Sequence, residues 1–180
     1  MFERGKRMGV DVGNARVGLA LSDPDGILAT PLQTLKRNVN TNSDRRVLRK
    51  LVTVHDVTEI FVGHPRTLSG GSSASTQMAE EYANALVAEL RDEGVTDIPV
   101  WLVDERLSTV SAHRSLHDAG VSSRDFKSVV DQVAAANILQ QALDALKADR
   151  AVAGYCINSE PHAADNDSVT DDVEKNGELP

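Results

Sequence analysis

Met8-Gly9-Val10-Asp11-Val12-Gly13-Asn14-Ala15-Arg16-Val17-Gly18-Leu19-Ala20-Leu21-Ser22-Asp23 reads as two strands joined by a tight turn. Met8, Val10 and Val12 alternate with Gly9, Asp11 and Gly13, and Val17, Leu19 and Leu21 alternate with Gly18, Ala20 and Ser22. Gly13-Asn14 supplies the turn between them. Asp11 is the residue that fits least, because an aspartate inside an apolar strand is disfavoured and burying its charge alone costs several kcal/mol or forces it to take a proton. Gly9 and Gly13, its neighbours on the same face, leave room over the carboxylate for a cation or for a phosphate bridged by one. The plainer alternative is an edge-strand Asp that points into solvent or accepts backbone hydrogen bonds from the turn.

Composition bounds the rest. The chain has 180 residues, 41% of them apolar, enough for one good core and too short for two domains of ordinary size. Aromatic residues are only 3%, so packing rests on Val, Leu, Ile and Ala. The single cysteine, Cys156, rules out an internal disulfide framework and suits a reducing compartment. Arg4, Lys6 and Arg7 precede no apolar signal segment, and nowhere is an apolar run long enough to span a bilayer, so the expectation is a soluble, cytoplasmic protein without a membrane partner. The net charge of -8 argues against a nucleic-acid partner until its distribution is read. Residues 151–180 carry seven acids and one base, whereas residues 1–150 carry 18 bases against 20 acids. The expected organisation is one domain over 1–150 and an acidic, disordered tail over 151–180.

Along the chain, Asp23-Pro24-Asp25-Gly26 is a second turn, and Ile27 to Leu35 forms a third strand that Pro31 pushes toward an edge. Helical spacing begins at Ser43, a plausible N-cap, with Val47, Leu48, Leu51 and Val54 on one face and Arg45, Arg46, Arg49 and Lys50 elsewhere. That basic cluster reads as a solvated face, or else as a phosphate-binding stripe. Val57 to Gly63 is a buried-type strand, followed by a loop whose Gly70-Gly71-Ser72 opens a helix to about Glu93 and offers a phosphate cradle. Ile98 to Val103 is the next strand and runs into Asp104-Glu105-Arg106. Acids at the end of a buried strand border the ligand crevice in such folds, although they also suit the start of a next helix over about Thr109 to Asp118. The longest helix starts near Ser122 and continues to Leu146, carrying Asp131 among Val130, Val133, Ala134, Ala135 and Ala136. Asp131 either pairs with Lys127 on the helix surface or, since the alanines let the helix lie close to the sheet, reaches across to the strands.

A three-strand meander, then alternating helix and strand, with one carboxylate on the first strand, one at the end of the last and one on the final helix, resembles the ribonuclease H-like fold. The expected architecture is α/β, a mixed five-stranded sheet, antiparallel then parallel, flanked by helices. More closely, the chain is similar to the YqgF family of pre-16S rRNA nucleases and Holliday-junction-resolvase-like proteins. The matching pieces are Gly9-Val10-Asp11-Val12-Gly13 with Arg16-Val17-Gly18-Leu19-Ala20, Val62-Gly63-His64-Pro65, Asp104-Glu105-Arg106-Leu107-Ser108-Thr109, and Asp131-Gln132-Val133-Ala134-Ala135-Ala136-Asn137-Ile138-Leu139-Gln140. They stand in family order over about residues 7–147.

The resemblance implies a metal-dependent nuclease site at Asp11, Glu105 and Asp131. Asp104 is the alternative to Glu105, since side chains alternate along a strand and the sequence does not say which of the two faces Asp11. His64 and Arg66 stand where the family usually has apolar residues, which bears on the loop and not on the acids. Carboxylates without imidazole or thiolate favour hard cations, hence Mg²⁺ or Mn²⁺. Arg16, Arg66, Arg106 and Lys127 are the candidates to hold backbone phosphates. The implied partner is nucleic acid, either pre-rRNA during processing of the 5′ end of pre-16S rRNA or branched DNA, met by a monomer or homodimer. Two rivals stand beside this reading. One is nucleotide binding of the actin, sugar-kinase and Hsp70 kind, which needs two such domains where this chain has one Asp-x-Gly unit; the other is a non-catalytic RNA-binding assembly protein of the same fold.

Overall fold

The computed structural model of the chain describes residues 1–67, 69–105 and 123–158. Its strands are β1 (Lys6–Val12), β2 (Arg16–Ser22), β3 (Ala29–Lys36), β4 (Val57–His64), β5 (Val100–Asp104) and β6 (Gly154–Cys156). Its helices are α1 (Ser43–Val54), α2 (Ala74–Asp92) and α3 (Ser123–Lys147). The sheet order is β3-β2-β1-β4-β5-β6. β1 pairs antiparallel with β2 and β2 with β3, whereas β4 is parallel to both β1 and β5. The antiparallel-then-parallel order is that of the mixed sheet which the resemblance implies.

One expectation needs correction. The sheet has six strands among the described residues, not five, and the sixth comes from the stretch assigned to the tail. β6 lies antiparallel on β5, with Leu102 opposite Tyr155, and Asn158 ties the end by accepting from the Val100 N–H at 2.8 Å and donating to the Ile98 carbonyl at 2.8 Å. Pairing supplies partners for backbone groups of β5 that would otherwise stand at an edge, so a three-residue strand is held where its own composition would not keep one. Residues 159–180 lie outside the described residues, as does the helix expected over Thr109 to Asp118.

The two faces of the sheet are packed differently. Met8, Val10, Val17, Leu19, Ile60, Val62, Val100 and Leu102 form one core with Leu48 and Val52 of α1 and Tyr82, Leu86 and Leu90 of α2. Ala20, Phe61 and Val103 form the other with Ala135, Ile138, Leu139, Ala142 and Leu143 of α3. Pro31 sits on the edge strand at a register shift, with Leu19 opposite Gln33 and Ala20 opposite Pro31, where its missing donor is tolerated. The N-cap of α1 is Asn42 in the left-handed region rather than Ser43. α2 starts at a capping box between Ser73 and Thr76.

Candidate active site

The alternation in β1 sends Met8 and Val10 into the α1/α2 core, which leaves Gly9 and Asp11 on the face that α3 covers. α3 comes down hard on that face. A Cβ on Gly18, the residue opposite Asp11, would collide with the backbone carbonyl of Asp131, and one on Gly9 with that of Ala135. The glycines therefore set how closely the helix lies, and Ala135 and Ala136 keep its inner side small. The position is pinned further by hydrogen bonds to β3: the Thr34 hydroxyl donates to the Ser128 carbonyl at 2.8 Å, Gln132 donates to Thr34 Oγ1 at 3.2 Å, and Gln140 accepts from the Ala29 N–H at 2.8 Å. Thus Asp131 is held facing the start of β2.

Asp104 and Glu105 are separated by the same alternation. Leu102 belongs to the α1/α2 core and Val103 to the α3 core, so Asp104 continues the first face and Glu105 the second. Consistent with this, the Glu105 carboxylate lies over Gly63, with its Cδ at 3.0 Å from where a Cβ would stand, and Gly63 is the cross-strand partner of Val103. Asp104 pairs instead with His64 in register. Glu105, not Asp104, shares the face of Asp11.

Electrostatics tie the three acids together. Burial, and after it the charge of Asp131, pushes the Asp11 carboxyl from its ordinary 3.8 up to about 6. Burial, then Asp11, then Asp104 push Glu105 from 4.5 up to about 7. Like charges on one water-poor face are unfavourable unless a cation joins them. The donor set is oxygen only, which fits a hard divalent ion. Among the described residues no three His, Cys, Asp or Glu side chains already converge as a finished cage. One reason is visible, since Asp131 Oδ2 accepts from Arg16 Nε at 2.7 Å.

The basic candidates fall in different places. Arg16 is the partner of Asp131, a pairing across 115 residues, so of the two alternatives Asp131 reaches across to the strands and does not pair with Lys127. Lys127 is exposed one turn earlier on α3. Arg66 folds onto its own loop and donates to the Gly70 carbonyl at 3.3 Å. Arg106 lies outside the described residues. In the glycine turn the Gly70 N–H donates to the Thr67 carbonyl at 2.7 Å and the Gly71 N–H to Thr67 Oγ1 at 2.8 Å, so two of the donors a phosphate cradle would use are engaged within the loop. α1 is not a basic stripe throughout, because Arg45 and Arg49 pair with Glu89 of α2, and Arg49 also with Glu93 at its C-cap, while Arg46 and Lys50 face solvent. His64 is buried at 5% exposure and pairs with Glu80 at 2.7 Å on the opposite face from Asp11.

Sequence reasoning missed Arg37, whose guanidinium donates to the Gly13 carbonyl at 3.1 Å and whose N–H donates to the Ala15 carbonyl at 2.9 Å. It braces the turn that follows Asp11. Thr34 and Gln132 were equally silent in the sequence, because exposed-looking polar residues on a strand and a helix carry no signal until the two elements meet.

The chain is similar to known proteins over most of its length. Residues 5–145 match the family model described as RuvX, Holliday junction resolvase. A Mycobacterium ulcerans protein named "Putative pre-16S rRNA nuclease" is 50% identical over 141 residues, 78% of this chain and 79% of that one. Proteins of the same name from Mycolicibacterium smegmatis and Mycobacterium sp. strain KMS are 48% and 44% identical, covering 81% and 84% of this chain and 84% and 86% of theirs. Among solved structures, Thermus thermophilus RuvC in complex with a Holliday junction substrate is a distant likeness, at 14% identity and a TM-score of 0.47 over 85% of this chain and 99% of that one. With a family model spanning most of the chain and relatives well above 40% identity, the chain belongs to the RuvX (YqgF) family.

Proposed function

We propose that the protein is a metal-dependent nuclease that hydrolyses phosphodiester bonds in the maturation of pre-16S rRNA, acting in the cytoplasm. The observation that carries the reading is the placement of Asp11, Glu105 and Asp131 from β1, the end of β5 and α3 on one face of the sheet, where their charges act on one another. The names borne by the relatives supply the substrate class.

Asp11, Glu105 and Asp131 would hold Mg²⁺ or Mn²⁺, which when bound supplies a nucleophilic water at neutral pH and neutralises charge on the phosphate. The chain's own contribution is to keep that place short of water and of fixed geometry. α3 and the glycines beneath it set the distance between carboxylates, and the burial that raises Asp11 and Glu105 strengthens their pull on any cation. Arg16, at the rim beside Asp131, Lys127, exposed on α3, and Arg66, on the loop after β4, would take backbone phosphates. Such contacts give affinity and register without reading sequence. The products expected are a 5′-phosphate and a 3′-hydroxyl.

The description of the family model favours a second substrate, a four-way DNA junction. End-labelled pre-16S rRNA leader fragments and a four-way junction should therefore be offered side by side to wild type and Asp11→Asn in Mg²⁺, Mn²⁺ and EDTA. Cleavage of the RNA, lost with the substitution and with EDTA, is the expected result. Cleavage of the junction alone would move the activity to DNA, and RNA binding without cleavage in any metal would make the chain a binding module.

A further inference from the structure

Arg16 occupies a carboxylate that a metal ion would need. Its Nε donates to Asp131 Oδ2 at 2.7 Å, and the two side chains are 37% and 21% exposed, at the mouth of the face that also holds Asp11. The backbone on both sides of this pair is fixed. Gly18 is pressed against the Asp131 carbonyl, and Ser128 and Gln132, flanking Asp131 on α3, are bonded to Thr34. α3 therefore has little room to carry Asp131 away, whereas the half-exposed Arg16 side chain is long and has solvent to swing into.

We propose that Arg16 is an internal counter-ion of the site: it neutralises Asp131 in the metal-free protein, gives that carboxylate up when a divalent cation binds, and turns its freed guanidinium to a nucleic-acid phosphate. The exchange rests on reading Asp11, Glu105 and Asp131 as the metal-holding acids. It conserves charge at Asp131 throughout, so the site is never left with three bare carboxylates, and it makes metal loading the event that frees a phosphate-binding cation. Arg16 is in this sense a positioning residue before it meets substrate.

The test is Mn²⁺ binding to the full-length chain, followed by the EPR signal of the free ion, for wild type, Arg16→Gln, Asp131→Asn and the double variant. Arg16→Gln should bind Mn²⁺ about fivefold more tightly than wild type, the scale of one partly exposed ion pair removed from competition. In the Asp131→Asn background the same substitution should change affinity by less than about twofold, because the cycle isolates the pair. Arg16→Lys, which keeps the charge but loses the Nε donor, should fall between wild type and Arg16→Gln. Equal gains in both backgrounds, or no gain in either, would overturn the exchange. Wild type that binds no Mn²⁺, or binding indifferent to Asp11→Asn, would instead overturn the reading of the acids and this inference with it.

The second half is read from the salt dependence of binding to an RNA hairpin in Ca²⁺ and in EDTA. On loading with Ca²⁺, wild type should gain a steeper slope than Arg16→Gln by about one phosphate contact. The same change of slope in both proteins would refute the hand-over to phosphate.

Discussion

The α3 face of the sheet buries charge at both of its ends, and the two ends treat it in opposite ways. Near the start of β1, Arg7 and Glu59 are 6% and 15% exposed and fully matched: Arg7 Nε donates to Glu59 Oε2 at 2.8 Å, its two Nη atoms donate to the carbonyls of Gly5 at 3.1 Å and Glu3 at 3.0 Å, and Trp101 Nε1 donates to the other Glu59 oxygen at 2.8 Å. At the far end of the same strand, Asp11 has acids for neighbours, and both it and Glu105 are pushed toward the protonated form. A buried ion pair in which each guanidinium nitrogen and both carboxylate oxygens find a partner balances its own charge. A buried set of like charges is eased by a cation, and on the proposed reading this difference sets a structural end apart from a functional one.

Opposite responses to the loss of a single charge follow. Glu59→Ala leaves Arg7 and the Trp101 N–H without their main acceptor, and should destabilise the fold by about 3–5 kcal/mol while leaving cleavage per folded molecule unchanged. Chemical denaturation alongside an activity titration reads both; a loss under about 1 kcal/mol, the scale of a surface pair, would dissolve the contrast. Asp11→Asn should do the reverse. Cleavage should fall at least about a hundredfold, beyond what removing an outer partner of a metal ligand costs, while the metal-free protein melts higher at pH 8 because one buried negative charge is gone.

The same contrast fixes a pH dependence. In the folded, metal-free protein Asp11 titrates near 6 and Glu105 near 7, against ordinary values of 3.8 and 4.5. Between about pH 4 and pH 7 the folded chain binds more protons than the unfolded chain, so these groups make metal-free stability fall as pH rises through that window and level off above it. The expected loss is on the order of 2 kcal/mol, smaller than the shifts alone would give because the carboxylates keep some solvent. Denaturant midpoints in EDTA at pH 5 and pH 8 measure it, and saturating Mg²⁺ should raise the pH 8 value. A midpoint in EDTA that is flat or rising with pH would mean that the acids do not burden one another.

Much of this was legible in the sequence, and the parts that were not share a cause. β1 and β2 declared themselves because each alternates around a glycine-rich, small-residue face, and the odd Asp11 in that alternation pointed to the proposed site. The choice between Asp104 and Glu105 was silent because Val100 to Val103 is apolar on both sides, as a parallel strand buried on two faces must be, and an unbroken apolar run carries no phase. The Arg16–Asp131 pair was hidden for a different reason: the sequence offers Lys127 four residues away on the same helix, and only the close seating of α3 on Gly18 brings a partner from β2 nearer. β6 depended wholly on β5 for its existence, and Gly154-Tyr155-Cys156 has no pattern to announce that.

Two glycines beneath the site separate seating from chemistry, with the smallest effects of the series. At Gly18 a Cβ meets the carbonyl and the backbone carbon of Asp131, so Gly18→Ala must shift α3 itself and should cost about 1–3 kcal/mol. At Gly63 the obstacles are side-chain ends, the Glu105 carboxylate and Ile138 Cδ1 at 2.6 Å, which can turn aside with little loss of stability. The methyl group would nevertheless stand where Glu105 rests, and displacing one carboxylate by about 1 Å is enough to reduce turnover about ten- to a hundredfold. Gly63→Ala should therefore melt within about 1 kcal/mol of wild type, yet cleave slowly and bind Mn²⁺ more weakly. A variant as active as wild type would place Glu105 outside the working site, and Asp104, one residue earlier on the other face, could not replace it without turning the end of β5 over.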